Sequence, residues 1–236
     1  MHRTLPSSPI DGSRRFLCSA TLLLAAGALG LVLHGPARAS ETAAAPATPS
    51  AATAQLLVED TTARVIAAMS RERERDGVKP ELAYDIVARI VMPNIDLDRT
   101  SRLVLGEHWA RATDAQRARF KQVFGNQLIR TYVLGLADYL AVSGKIAIAI
   151  DYLPGAITKD GRVAVVRSRV AASSVSMRID YRLHRVEGAW RVFDVLVEGV
   201  SVASTYRSSF MAEASRNGID RLIERIAEKN RRPGAV

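Results

Sequence analysis

Ser201 sits in Gly199-Val-Ser201-Val-Ala203, between an apolar strand pattern and a helical one. That is the setting of a hydrolase nucleophile elbow, with Ala in place of the last Gly. The chemistry needs a histidine that follows the serine, and none follows His184. The other reading of Ser201 is a helix N-cap or loop serine. Beyond residue 39 only His108 and His184 remain, one near a helix end and one on a polar strand face. Zinc needs three or four ligands at defined spacing, which these do not supply. Asp138, Asp180 and Asp194 could include a general base whose pKa an apolar pocket raises. They could equally be paired surface acids, since Arg178 and Arg182 flank Asp180 on its strand face. The sequence holds no Gly-rich phosphate loop and no basic helix interleaved with aromatics, so no nucleic-acid partner is expected. No catalytic residue, metal or cofactor is predicted.

The elements that carry these residues read as α+β. A helix is predicted from 56 to 75, with Val58, Thr62, Val65, Ile66 and Met69 on one face. Its end, Arg71-Glu72-Arg73-Glu74-Arg75, is a solvated terminus or a docking site. Pro80 opens a second helix that Pro93 stops. A third spans about 98–109. Thr113 and Gln116 form a capping box for a long helix to about 140. There Phe120, Phe124, Leu128, Tyr132, Leu136 and Leu140 step by four, which winds the apolar stripe around a 3.6-residue helix.

From residue 145 the period changes to two. A first strand ends at a Pro154-Gly155 turn, and a second spans 162–171. The third alternates Val175, Met177, Ile179, Tyr181 and Leu183 with polar residues. Glu187-Gly188 turns into a fourth, 190–199. Its two faces read as Phe193, Val195 and Val197 against Trp190, Val192 and Leu196. A helix with Tyr206, Phe210 and Ala214 breaks at Asn217-Gly218 before a last one with Ile219, Leu222, Ile223 and Ile226. Helices, a meander of about four strands and closing helices make one α+β domain, 56–230, with a disordered tail at 231–236. The apolar faces enclose either a core or a cavity, and periodicity leaves both open.

The ends bound the compartment. Arg14-Arg15, an apolar run from Phe16 to Leu33 and Ala37-Arg38-Ala39 read as a signal peptide, 1–39, cut after Ala39. An uncleaved anchor is the alternative. The arginine pair hints at the twin-arginine route, but its spacing to Phe16-Leu17 favours general secretion. Cys18, the one cysteine, lies in this leader, so the exported chain has no disulfide. Residues 40–55, rich in Ala, Thr and Pro, read as a flexible linker. Of the chain's net charge of +9, the leader's Arg3, Arg14, Arg15 and Arg38 against Asp11 contribute +3, which leaves +6. That balance suits an anionic membrane surface after export, or simply a basic soluble protein.

Several short motifs fall in a telling order. Leu105-Gly106, Trp109, Gln116, Phe120, Phe124 and Tyr132 are followed by Asp180-Tyr181-Arg182-Leu183, Trp190, Asp194 and Glu198-Gly199-Val200-Ser201. Arg207, Phe210 and Gly218-Ile219-Asp220 close the series. Across 56–230 this resembles the MlaC family, the periplasmic phospholipid-binding, toluene-tolerance component of an ABC lipid transport system. The resemblance implies a curved sheet and helices around a cavity for acyl chains, and a monomer in the periplasm. It also implies partners: phospholipid, an inner-membrane ABC lipid transporter and an outer-membrane lipoprotein complex, in the service of outer-membrane lipid asymmetry. A hopanoid-linked relative and a curved-sheet enzyme with an Asp base are the alternative functions, and an adaptor with a filled core is a third. Taken with the apolar faces, the resemblance nominates Val123, Leu128, Tyr132, Val195, Val197, Val200, Val202, Tyr206 and Phe210 as lipid-binding residues. Each methylene exposed to water costs about 0.8 kcal/mol, so some thirty in two tails cost about 24 kcal/mol. A carrier must therefore offer a dry slot.

Overall fold

A computed structural model describes residues 50–76, 79–143, 148–172 and 175–231. The predicted leader, positions 40–49 of the linker and the tail at 232–236 lie outside the described residues. Helix α1 (Ala51–Asp76) begins five residues before the predicted start, and Ala54 is fully buried. The linker therefore gives way to helix within its last five positions. Helix α2 (Pro80–Ile90) has Pro80 at its first turn and passes through a 3-10 turn (Met92–Asn94) holding Pro93.

The predicted third helix is two helices, α3 (Leu97–Leu105) and α4 (Glu107–Arg111). Gly106 divides them with φ of 54° and ψ of −125°, a conformation open mainly to glycine. Helix α5 (Asp114–Ser143) starts at the predicted box: Thr113 N donates to Gln116 Oε1 at 2.9 Å, and Gln116 N donates to Thr113 Oγ1 at 3.2 Å.

Five strands form one antiparallel open sheet in chain order: β1 (Ile148–Ile157), β2 (Val163–Ala172), β3 (Val175–Val186), β4 (Ala189–Val197) and β5 (Val200–Ser201). Pro154-Gly155 does not end β1. The register to β2 shifts between Leu153 and Ala156, so the pair forms a bulge inside a longer strand. The hairpin at Glu187-Gly188 is as predicted, with φ of 49° and 84°. Glu198-Gly199 makes a second turn of the same kind, with φ of 50° and 80°; it takes the last two residues of the predicted fourth strand and is followed by β5, a strand not predicted.

The β4 faces also differ from the alternation read in sequence. Arg182 pairs with Asp194 and Leu183 with Val192, which leaves Phe193 as an extra residue. Trp190, Val192, Val195 and Val197 thus share a face, and Phe193 turns to the other side. There the Arg99 guanidinium lies 4.2 Å from its ring centroid.

Helices α6 (Val202–Asn217) and α7 (Ile219–Arg231) close the chain around Gly218. The apolar residues bury in three clusters. Ala54 and Val58 of α1 pack on the sheet face that carries Ala164, Val166, Ile179, Tyr181 and Leu183. Val65 and Met69 join Ala83, Ile86, Val87 and Ile129 of α2 and α5. The four-residue steps of α5 and α6 meet in the third, where Phe120, Phe124 and Phe210 have centroids 5.4 to 6.1 Å apart.

Candidate functional site

Two apolar cavities lie where the sheet meets the helices. The first encloses about 90 Å³ between Val87, Val91 and Met92 of the α2 segment, Leu128 and Ile129 of α5, Val192 to Val195 of β4, and Val202 and Ala203 of α6. The second encloses about 80 Å³ between Leu57, Val58 and Val65 of α1, Tyr181 of β3 and the same stretch of β4. Val91, Ile95, Val192 and Val195 line both, so one thin apolar wall separates them.

Polar groups fix this wall without entering it as free reactive groups. The Asp194 side chain is 2% exposed and accepts from Arg182 Nη1 at 3.4 Å. It also accepts from the backbone N of Val195 and Ala203 at 3.0 and 3.2 Å. The Ser201 hydroxyl donates into the same carboxylate, 2.8 and 3.0 Å from its oxygens, and accepts from Ser204 N at 3.0 Å. Ser201 is thus the N-cap of α6, and Asp194 ties that cap to β4. On the far side, Asp96 N donates to the Val192 carbonyl at 2.8 Å. The Thr100 hydroxyl lies 2.9 Å from the Phe193 carbonyl.

His184 belongs to the same frame. Arg99 donates to its Nδ1 at 2.8 Å, which assigns the ring proton to Nε2, and that nitrogen meets Asp96 Oδ2 at 2.6 Å. His108 instead meets the Ser215 hydroxyl at 3.0 Å. Asp180 is paired with Arg178 at 3.7 Å. The side chain of Asp138 lies outside the described residues. No group of three or more His, Cys, Asp or Glu side chains among the described residues could hold a metal ion. Burial pushes the Tyr152 phenol up to about 12, and it raises Tyr181 as well.

The nominated residues divide. Leu128, Val195 and Val202 line the first cavity, and Val195 the second also. Tyr206 and Phe210 line a third cavity, between α5, α6 and α7. Val123 is buried in the helical cluster and lines none of these three. Val197 is half-buried near the end of β4, and Val200 is 63% exposed on β5. The side chain of Tyr132 lies outside the described residues. Sequence reasoning missed Val87, Val91, Met92, Ile95, Ile129 and Val192. Val87 lies on the apolar face of α2, but periodicity does not tell a face that meets a void from one that meets side chains.

Residues 59–228 match the family described as MlaC protein. The chain belongs to the MlaC family. Toluene tolerance protein ttg2D of Pseudomonas putida is 28% identical over 175 residues, 73% of this chain and 78% of the relative. The intermembrane phospholipid transport system binding protein MlaC of Haemophilus influenzae is 23% identical over 158 residues, 65% of this chain and 71% of the relative. A solved phospholipid-binding protein of Ralstonia solanacearum, in complex with a phospholipid, superposes with a TM-score of 0.66 at 27% identity. That match covers 75% of this chain and 96% of the other. The family's α+β architecture is thus the one found here, with an open sheet. Among the described residues no helix is long and apolar enough to cross a membrane.

Proposed function

We propose that this protein is a periplasmic phospholipid carrier that shields acyl chains in the apolar cavities beside β4. The observation that carries the reading is the pair of cavities separated only by Val91, Ile95, Val192 and Val195. The intermembrane phospholipid transport role of the Haemophilus relative supports it, as does the phospholipid held by the Ralstonia protein. Cavities of about 90 and 80 Å³ are each smaller than the ~150 Å³ that accepts benzene. Two acyl chains therefore require the wall to part, which merges the two spaces into one slot. Nothing in that process needs bond chemistry. The engagement of Ser201 and both Asp194 oxygens in capping α6 supports a carrier over a curved-sheet enzyme with an Asp base.

In this reading the leader directs export and is removed after Ala39. The lipid is exchanged with an outer-membrane lipoprotein complex and an inner-membrane ABC transporter. Mass spectrometry of the organic extract from the purified exported protein tests the core of it. Intact diacyl phospholipid near one per chain is expected. An extract free of lipid, from protein that also fails to take lipid from vesicles, would refute the reading.

A further inference from the structure

The wall between the two sheet-side cavities is held from behind by one polar cluster. Ile95 lines both cavities and bridges to Val192, and Asp96 N donates to the Val192 carbonyl at 2.8 Å. The Asp96 carboxylate divides its oxygens. Oδ1 accepts from Arg99 N at 2.9 Å as the N-cap of α3, and Oδ2 meets His184 Nε2 at 2.6 Å. The Arg99 guanidinium lies 4.2 Å from the Phe193 ring centroid and donates from Nη1 to His184 Nδ1 at 2.8 Å. Phe193 in turn lines the first cavity. One imidazole thus joins the start of α3, the cover of Phe193 and the wall.

An arginine can only donate, so its contact with Nδ1 exists only while that nitrogen carries no proton. Histidine is the side chain whose charge ordinarily changes between pH 5 and 8. The His184 and Asp96 side chains are each 15% exposed, so protons reach the ring. The charges around it set the direction. From the α3 segment Asp96 and Arg99 face the ring, while Asp98 is engaged by Arg102 and Lys121. Arg182 of β3 lies 5.3 Å from the Phe193 ring, which His184 meets edge-on, and pairs with Asp194 of β4 at 3.4 Å. Arg191 of β4 stands opposite His184 in register, and β2 presents the uncharged Val163 there. Three cations against two anions already surround the ring, so a proton on Nδ1 adds repulsion against Arg99.

We propose that His184 is a proton-operated latch on the lipid slot: when Nδ1 takes a proton, Arg99 withdraws, α3 loosens from β4 and the wall parts. A proton shifts this equilibrium because it binds the two states differently. With Arg99 in place Nδ1 is occupied. With Arg99 withdrawn Nδ1 is free, and the imidazolium keeps Asp96 as a charged partner. The Val192 and Phe193 carbonyls remain held by Asp96 N and the Thr100 hydroxyl, so α3 stays attached while Phe193 loses its cover. The inference rests on the carrier reading and adds the regulation of that same slot.

The test loads the exported chain with a fluorescent phosphatidylcholine and follows its release to phosphatidylcholine vesicles between pH 8 and 5.5. The parent's release rate is expected to rise about tenfold over that range, the effect of losing one hydrogen bond to a charged group. In His184→Gln the amide accepts from Arg99 and donates to Asp96 as the neutral ring does, but takes no proton, so release should stay slow and flat with pH. Arg99→Ala should release at pH 8 as fast as the parent does at pH 5.5. His108→Gln is the control and should keep the parent's slope. Nitrogen-15 shifts of the His184 ring in the parent need no altered latch residue. They should show the Nε2–H form at pH 8 and a doubly protonated ring at pH 5.5, with a midpoint matching that of release. If His184→Gln fails to fold, Arg99→Ala and the ring titration decide. Lipid uptake with a flat profile, a slope that survives His184→Gln, or a ring still neutral at pH 5.5 overturns the latch alone. A parent that takes up no lipid at any pH refutes the carrier reading, and the latch with it.

Discussion

Val195→Ile distinguishes a lipid slot from a filled core by the sign of its effect. Val195 is 8% exposed, and its side chain borders both sheet-side cavities, of about 90 and 80 Å³. Isoleucine keeps the β-branch that suits a strand and adds one methylene. Where space exists, burying that methylene stabilises by about 0.8 kcal/mol. For a domain of this size that is a rise of about 2–3 °C in the midpoint. In a filled core the same methylene overpacks and costs about 1–3 kcal/mol. Val166→Ile is the internal control, since Val166 is 1% exposed and lines neither cavity. Urea unfolding of lipid-stripped protein, followed by circular dichroism, should find Val195→Ile more stable than the parent and Val166→Ile less. The added methylene also takes room from an acyl chain, so lipid recovered per chain should fall. If Val195→Ile loses as much stability as Val166→Ile, the space beside β4 does not behave as a void and the slot argument fails.

Ser201→Ala removes the cap of α6 and its link to Asp194, and should cost about 1–2 kcal/mol by chemical denaturation while the extracted lipid stays diacyl. Steady release of lysolipid by the parent, absent in this variant, would mark an enzyme. Burial holds Tyr152 protonated up to about 12, so its contribution to stability is complete below pH 10 and declines as pH rises from 10 to 12. Tyr152→Phe should flatten that alkaline limb, measured as midpoint against pH, and an unchanged limb would remove Tyr152 as its cause. Gly106→Ala should cost about 1–3 kcal/mol, because φ is 54° there and the new methyl would lie 2.8 Å from Arg207 Nη2. A thermal melt equal to the parent's would show that this junction relaxes freely.

Local chemistry made much of the fold legible. Pro80, the Thr113–Gln116 box, Glu187-Gly188 and Gly218 punctuate the chain where the sequence predicts, because each acts through its own backbone or through neighbours three or four residues away. The failures share a different cause. The bulge at Phe193 depends on how β4 meets β3, and it reverses the phase of one end of the strand, so Val192 and Val195 share a face that strict alternation denies them. Pro154-Gly155 reads as a turn, but pairing with β2 carries β1 past it. The cavity walls were half-visible for a related reason. Val195 and Val202 directly follow the family motifs at Asp194 and Glu198–Ser201, and their apolar faces nominated them. Val91, Met92 and Ile95 lie past the end of α2, where helical periodicity has stopped, and only the tertiary bridge from Ile95 to Val192 brings them to the slot.

The two borders of the sheet have a consequence for the lipid-free chain under the proposed carrier reading. An open sheet ends in two strands with unpaired backbone groups, and such strands template association between copies. Here β1, at one border, carries Pro154, which has no N–H to offer, a bulge that interrupts its line, and an exposed Asp151. The other border is β5, two residues long before the chain turns into α6. Neither offers a long straight ladder to a second molecule. Self-association of the lipid-free protein is therefore left to side chains around the slot, and added lipid should reverse it, whereas strand-to-strand polymerisation lacks a clean edge from which to start.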